Sequence, residues 1–151
     1  LVLTVCLTIT GIYDFVIIVR DNGPGHRVTV NTNSSLTDWL AQNLDSRDLI
    51  LTPEYSISEV TMAGVMMYLG WPYYAWSAGY DTYGRAENAK EIYTSRDPER
   101  VKSLVQQERI TYILFEKGMT FEEETCIETT IKSVYRLAYQ SEDGRIRIYE
   151  T

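Results

Sequence analysis

The first nineteen residues, Leu1 to Val19 (LVLTVCLTITGIYDFVIIV), carry one charge, Asp14. A bilayer-spanning helix needs about 20 apolar residues, and threonine and glycine are tolerated within one. Asp14 stands five residues before the end of the run, where an acid faces either a helix bundle or the membrane boundary. The run reads as a transmembrane helix over 1–19, the last of several. Two rivals stay open. A signal peptide would show a basic start and a small-residue cleavage site, and neither is present. A buried strand pair is the other, because Val, Ile and Thr dominate. The chain begins with Leu, which reads as a fragment or a processed product.

Residues 20–34 read as a linker. Asn22-Gly23-Pro24-Gly25 is turn chemistry that stops a helix, and Val28 to Val30 reads as a short strand. The sparse positive charge, Arg20 and Arg27, points faintly to the non-cytoplasmic side.

Residues 35–151 alternate apolar runs of strand length with segments of helical period. Ser35 or Thr37 caps a helix carrying Leu36, Trp39, Leu40 and Leu44 on one face. Asp48 to Thr52 reads as a buried strand, with Glu54 and Tyr55 in the loop after it. Ser58 to Ala63 reads as a short helix closed by Gly64, and Val65 to Leu69 as a second strand. Tyr83 to Tyr93 has helical spacing, with Ala86, Ala89, Ile92 and Tyr93 on one face. Asp97-Pro98 opens another helix, with Val101, Leu104 and Val105 inward. Ile110 to Phe115 is the clearest strand. Phe121 to Lys132 reads as a helix with an acidic first turn, Glu122 to Glu124. Val134 to Tyr139 and Arg145 to Tyr149 read as a hairpin around Ser141-Glu142-Asp143-Gly144. This order predicts an α/β domain with a small, mostly parallel sheet of about four to five strands and an antiparallel C-terminal hairpin.

Net charge is −7. A chain this acidic lacks the basic face of a nucleic-acid binder or of a polybasic membrane-surface binder. The lone His26 and the separated Cys6 and Cys126 offer no structural zinc set and no evident disulfide. No phosphate-cradling glycine loop, zinc-protease motif or nucleophile elbow is present, so no cofactor, metal or catalytic residue is assigned. Asn33-Ser34-Ser35 fits a glycosylation sequon, a short pattern that chance often produces.

The candidate site is Gly70 to Arg85, GWPYYAWSAGYDTYGR, which holds two of the three tryptophans and four tyrosines. Such rings either pack as a cover on a sheet edge or present a platform, stacking on sugars or sitting at a membrane interface. Asp81 and Arg85, four apart, either pair or serve separately, Asp81 as a helix cap with Arg85 tying it down.

This phrase, with LILTPE before it and DPERVKSLVQQERITYILFE after it, resembles the C-terminal part of bacterial polytopic membrane proteins similar to GT-C-type glycosyltransferases. TGIYDFVIIVRDN resembles the end of their last membrane helix. The resemblance implies an extracytoplasmic α/β domain on a membrane bundle that uses a lipid-linked sugar donor. The family's catalytic acids are expected near the start of the full protein, so none is carried over. The matching positions, Trp71, Tyr73, Tyr74, Trp76, Asp81 and Arg85, are expected at the ligand- or membrane-facing end. A glycan-binding module and a structural tail are the other readings.

Overall fold

A computed structural model describes residues 2–23, 30–53, 55 and 59–151, with side chains from residue 8 onward in the first segment. Two compact units divide at Val30. The first contains helix α1, Val2–Asp21. From Ile9 to Val19 its large apolar side chains are exposed, except Ile17, which is half-buried. Its last turn is closed by Asn22, whose amide donates to Ile18 O at 2.7 Å. Among the described residues no helix is long and apolar enough to cross a membrane. The membrane reading of residues 1–19 therefore rests on the sequence and returns below as a proposal. Cys6, His26, the Pro24-Gly25 turn, most of the Val28 to Val30 strand, Glu54 and Ser58 lie outside the described residues or side chains.

The second unit begins with α2, Ser35–Asn43. Its cap is Ser34 rather than Ser35 or Thr37: the Ser34 hydroxyl accepts from Thr37 N at 3.2 Å. The elements that follow are β1 (Leu49–Leu51), α3 (Glu59–Met62), β2 (Met66–Met67), α4 (Pro72–Ser77), α5 (Thr82–Thr94), α6 (Pro98–Gln107) and β3 (Tyr112–Glu116). They are completed by β4 (Thr120–Phe121), β5 (Glu124–Thr125), α7 (Glu128–Val134), β6 (Arg136–Gln140) and β7 (Ile146–Glu150). Asp97 caps α6, with Pro98 in its first turn, as the sequence predicts.

The main sheet has five strands in the order β2-β1-β3-β7-β6. This is a mixed sheet, not the mostly parallel one expected. β2, β1 and β3 run parallel in very short ladders, whereas β3–β7 and β7–β6 are longer and antiparallel. The C-terminal hairpin exists as predicted, but it enters through β7, beside β3. Five residue pairs lock β7 to β3, from Tyr112↔Glu150 to Glu116↔Ile146.

Alternate strand residues divide the core, as the pleat requires. Leu51, Ile113, Phe115 and Tyr149 join Ala89, Ile92 and Tyr93 of α5, Val101, Leu104 and Val105 of α6, and Ile131 of α7. Ile50, Leu114 and Ile148 join Leu36, Leu40 and Val60 from α2 and α3. Helices thus cover both faces. Cys126 is a free, buried thiol, and burial pushes it up to about 11.

One element departs from expectation. Residues 121–127 are not the start of a helix; β4 and β5 form a second, two-stranded sheet. Phe121 is buried in the core, which fixes the chain there. Glu122 and Glu123 turn with φ of 45° and 68°, the left-handed pair that tight hairpins demand. Lys90 holds the turn by reaching Glu122 at 3.1 Å and Glu124 at 2.8 Å. The acidic run is thus spent on a hairpin and a lysine bridge. Replacing Glu123 with Gly is expected to stabilise the domain by about 0.5–1 kcal/mol, because Gly adopts positive φ without strain. Urea denaturation checks this, with the Lys90 bridge left in place.

Candidate functional site

β1 lies between β2 and β3, and the chain leaves its carboxyl end for α3 on one face. After β3 it turns instead into β4, β5 and α7 on the other face. Adjacent parallel strands whose exits diverge leave a crevice at their carboxyl ends, where ligands of open α/β sheets bind. Gly70 to Arg85 begins at that edge, directly after β2.

The stretch is not one loop but a short helix, a turn and the first turn of α5. Gly70 has φ +57°, and a Cβ there would meet Met67 at 2.9 Å. Gly70 O accepts from Tyr55 N at 3.1 Å, joining the exits of β1 and β2. The Trp71 ring meets Tyr55 edge-on, with centroids 5.4 Å apart. Pro72 then opens α4, which fixes φ for a first turn that needs no N–H.

Asp81 and Arg85 do not pair. Asp81 caps α5, its carboxylate accepting from Gly84 N at 3.0 Å. A Cβ at Gly84 would stand 2.5 Å from the terminal oxygen of that carboxylate, so a larger residue there would require the Asp81 side chain to shift. Arg85 turns the other way and donates to Tyr68 O at 2.7 Å. Its guanidinium lies over the Tyr68 ring at 5.0 Å and the Tyr80 ring at 4.7 Å. Tyr68 in turn donates to Glu108 at 2.9 Å, and Asn88 reaches the same carboxylate at 3.1 Å. Burial, foremost, together with the Glu108 carboxylate, raises the Tyr68 phenol above the ordinary tyrosine range. Of the two readings open from the sequence, the geometry is that of a cap and a separate tie.

α4 separates two clefts. Trp71, Tyr74 and Ala75 line one of about 370 Å³ beside the edge strand β2, with Met66, Met67, Tyr80 and Arg85. Tyr73 and Trp76 line the other, also about 370 Å³. Its remaining walls are Tyr55, Pro72, Thr82, Tyr83, Ala86 and Glu122. Residues following all three parallel strands therefore meet here: Tyr55 after β1, α4 and the start of α5 after β2, and Glu122 after β3. Tyr73 and Trp76 are 64% and 60% exposed and Tyr83 is 83% exposed. Three rings of this cleft thus stand largely in solvent.

A larger cleft, about 550 Å³, lies between α6, α7 and the opposite, amino edge of the parallel strands, lined by Lys102, Arg109, Thr111, Arg136 and Glu150 among others. Arg136 there is engaged with Glu150, and Lys102 with Glu99 at 2.7 Å. Size favours this cleft, but strand direction favours the aromatic one, and strand direction reflects how such sheets build sites.

The six residues expected from the sequence are thus split between two clefts and a helix cap. Tyr55, Thr82, Tyr83 and Glu122 were not among them. Tyr55 was legible as the residue after a strand; Glu122 was hidden by its acidic neighbours.

By architecture the second unit is a mixed α/β domain with an aromatic-lined cleft at the carboxyl edge of its parallel strands. No protein-family model and no curated protein matches the chain. Among solved structures it is similar to the C-terminal globular domain of an oligosaccharyltransferase from Archaeoglobus fulgidus. The TM-score is 0.52 and the identity 12%, over 83% of this chain and 99% of that one. At that identity the likeness is one of fold. The neighbour is archaeal, not bacterial as the resemblance implies.

Proposed function

We propose that this chain is the C-terminal, extracytoplasmic domain of a polytopic GT-C-like membrane glycosyltransferase. In this reading Leu1 to Val19 is the last membrane helix, and the protein resides in the cell membrane. The domain carries no catalytic acid. It helps shape the site where a sugar passes from a lipid-linked donor, and its partner is the protein's own membrane bundle. The observation that carries the reading is the likeness of fold to an oligosaccharyltransferase's C-terminal domain. The carboxyl-edge cleft, with Tyr73, Trp76 and Tyr83 exposed, supports it.

Sugar transfer by the full-length protein tests the proposal. Trp76→Ala is expected to lower it by about tenfold or more, the loss an aromatic anchor brings. Asp81→Asn is expected to be nearly silent, because Asn caps a helix as well as Asp does. Full activity of folded Trp76→Ala would overturn the role given to the cleft. A second reading, a non-catalytic glycan- or envelope-binding module, is favoured by the same exposed rings. It predicts glycan binding without transfer.

A further inference from the structure

The cleft beyond α4 has a chemistry of its own. Tyr73 and Trp76 stand with ring centroids 6.0 Å apart and planes tilted by 39°. They form a splayed notch instead of a closed stack. Tyr83 adds a third exposed ring and Glu122 a carboxylate at the rim. The Glu122 side chain is 53% exposed, and Lys90 holds it at 3.1 Å from one oxygen. The other oxygen keeps its lone pairs for a further donor. Among the described residues no basic side chain is among the walls. Lys90, behind Glu122, is already shared between two carboxylates, and its ammonium is held protonated by Glu124 and Glu122.

These features select a ligand. The ring faces carry negative charge density, which favours positively polarised C–H edges. The carboxylate requires O–H or N–H donors around the same molecule. A flat body with C–H groups on its face and hydroxyls on its rim satisfies both. The lack of a cation disfavours phosphate or carboxylate groups on that ligand. About 370 Å³ is within the range of small-molecule clefts. A bilayer interface would also use Trp and Tyr, but it would meet a concave notch with a carboxylate at its edge.

We propose that this cleft is a subsite for a neutral carbohydrate, one pyranose face lying against Trp76 and Tyr73 and its hydroxyls reaching Glu122. The proposal deepens the glycosyltransferase reading and rests on it only for the sugar's biological source. The test is titration of the whole chain with methyl α-glucoside, methyl α-mannoside, methyl α-galactoside and N-acetylglucosamine, read by tryptophan fluorescence and saturation-transfer NMR. At least one is expected to bind saturably. Trp76→Ala should weaken it by about tenfold or more, and Trp76→Phe, which keeps a ring, by less. Lys102→Ala, at the opposite edge, should change nothing. Near-ultraviolet circular dichroism confirms that each variant is folded.

Absence of saturable binding by all four sugars, or binding that folded Trp76→Ala and Tyr73→Ala leave intact, would overturn the proposal. So would binding to phosphatidylcholine vesicles, lost in Trp76→Ala, with no sugar bound. Pyranoside binding needs no transferase. If it holds while Trp76→Ala transfers sugar normally in the full-length protein, the subsite stands and the assisting role falls.

Discussion

Tyr93→Ala is expected to leave the α/β domain at the edge of unfolding. Tyr93 is fully buried on α5, between Phe115 of β3 and Phe121 of β4. Its hydroxyl donates to Leu114 O at 2.7 Å, with Leu51 O at 3.2 Å sharing the same proton. One side chain thus ties two adjacent parallel strands to the helix that begins at the candidate site. Deleting a buried aromatic ring costs about 3–5 kcal/mol through lost burial and the cavity left behind. Orphaning a carbonyl adds about 1–3 kcal/mol. Set against a typical stability of about 5–15 kcal/mol, the sum is a large share of the whole. Tyr93→Phe keeps the ring and should lose only the hydrogen-bond part. Chemical denaturation of the three proteins separates these terms. Near-equal midpoints for Tyr93→Ala and Tyr93→Phe would contradict the packing described.

Arg85→Ala is expected to loosen the aromatic segment while the rest of the sheet stays intact. The charged hydrogen bond to Tyr68 O is worth about 1.5–3 kcal/mol. Each contact with the Tyr68 and Tyr80 rings adds about 0.5–1 kcal/mol. Together these hold α5 against the exit of β2. Arg85→Lys should recover only part of the loss, because an ammonium keeps the charge but not the planar stack. Amide hydrogen exchange reads the difference. Residues 68–85 should exchange faster in Arg85→Ala, with the β3–β7 ladder unchanged. Uniform acceleration, or none, would contradict a local tie.

Much of the fold was legible because its signals are local. Asp97-Pro98 marks a helix start whatever surrounds it, and Ala89, Ile92 and Tyr93 recur at helical spacing and are buried together. Pairing was less legible. Whether β7 lies beside β3 depends on contacts between residues more than 30 apart, such as Tyr112 and Glu150, and neither strand's composition records its neighbour. Glu122 and Glu123 show the same limit. An acidic triplet suits a helix N-terminus, yet burial of Phe121 and the reach of Lys90 from α5 select a hairpin. The cleft was half legible. Its aromatic wall is one continuous phrase, but Tyr55 and Glu122 arrive from other strand exits, which only the sheet order brings together.

The carboxyl-edge cleft and the larger amino-edge cleft make opposite demands on a single assay. On the proposed function, sugar transfer by the full-length protein should fall by about tenfold or more in folded Trp76→Ala and stay at the parent rate in Lys102→Ala. Parent-level transfer in Trp76→Ala, or a loss confined to Lys102→Ala, would contradict the assignment of function to the aromatic edge.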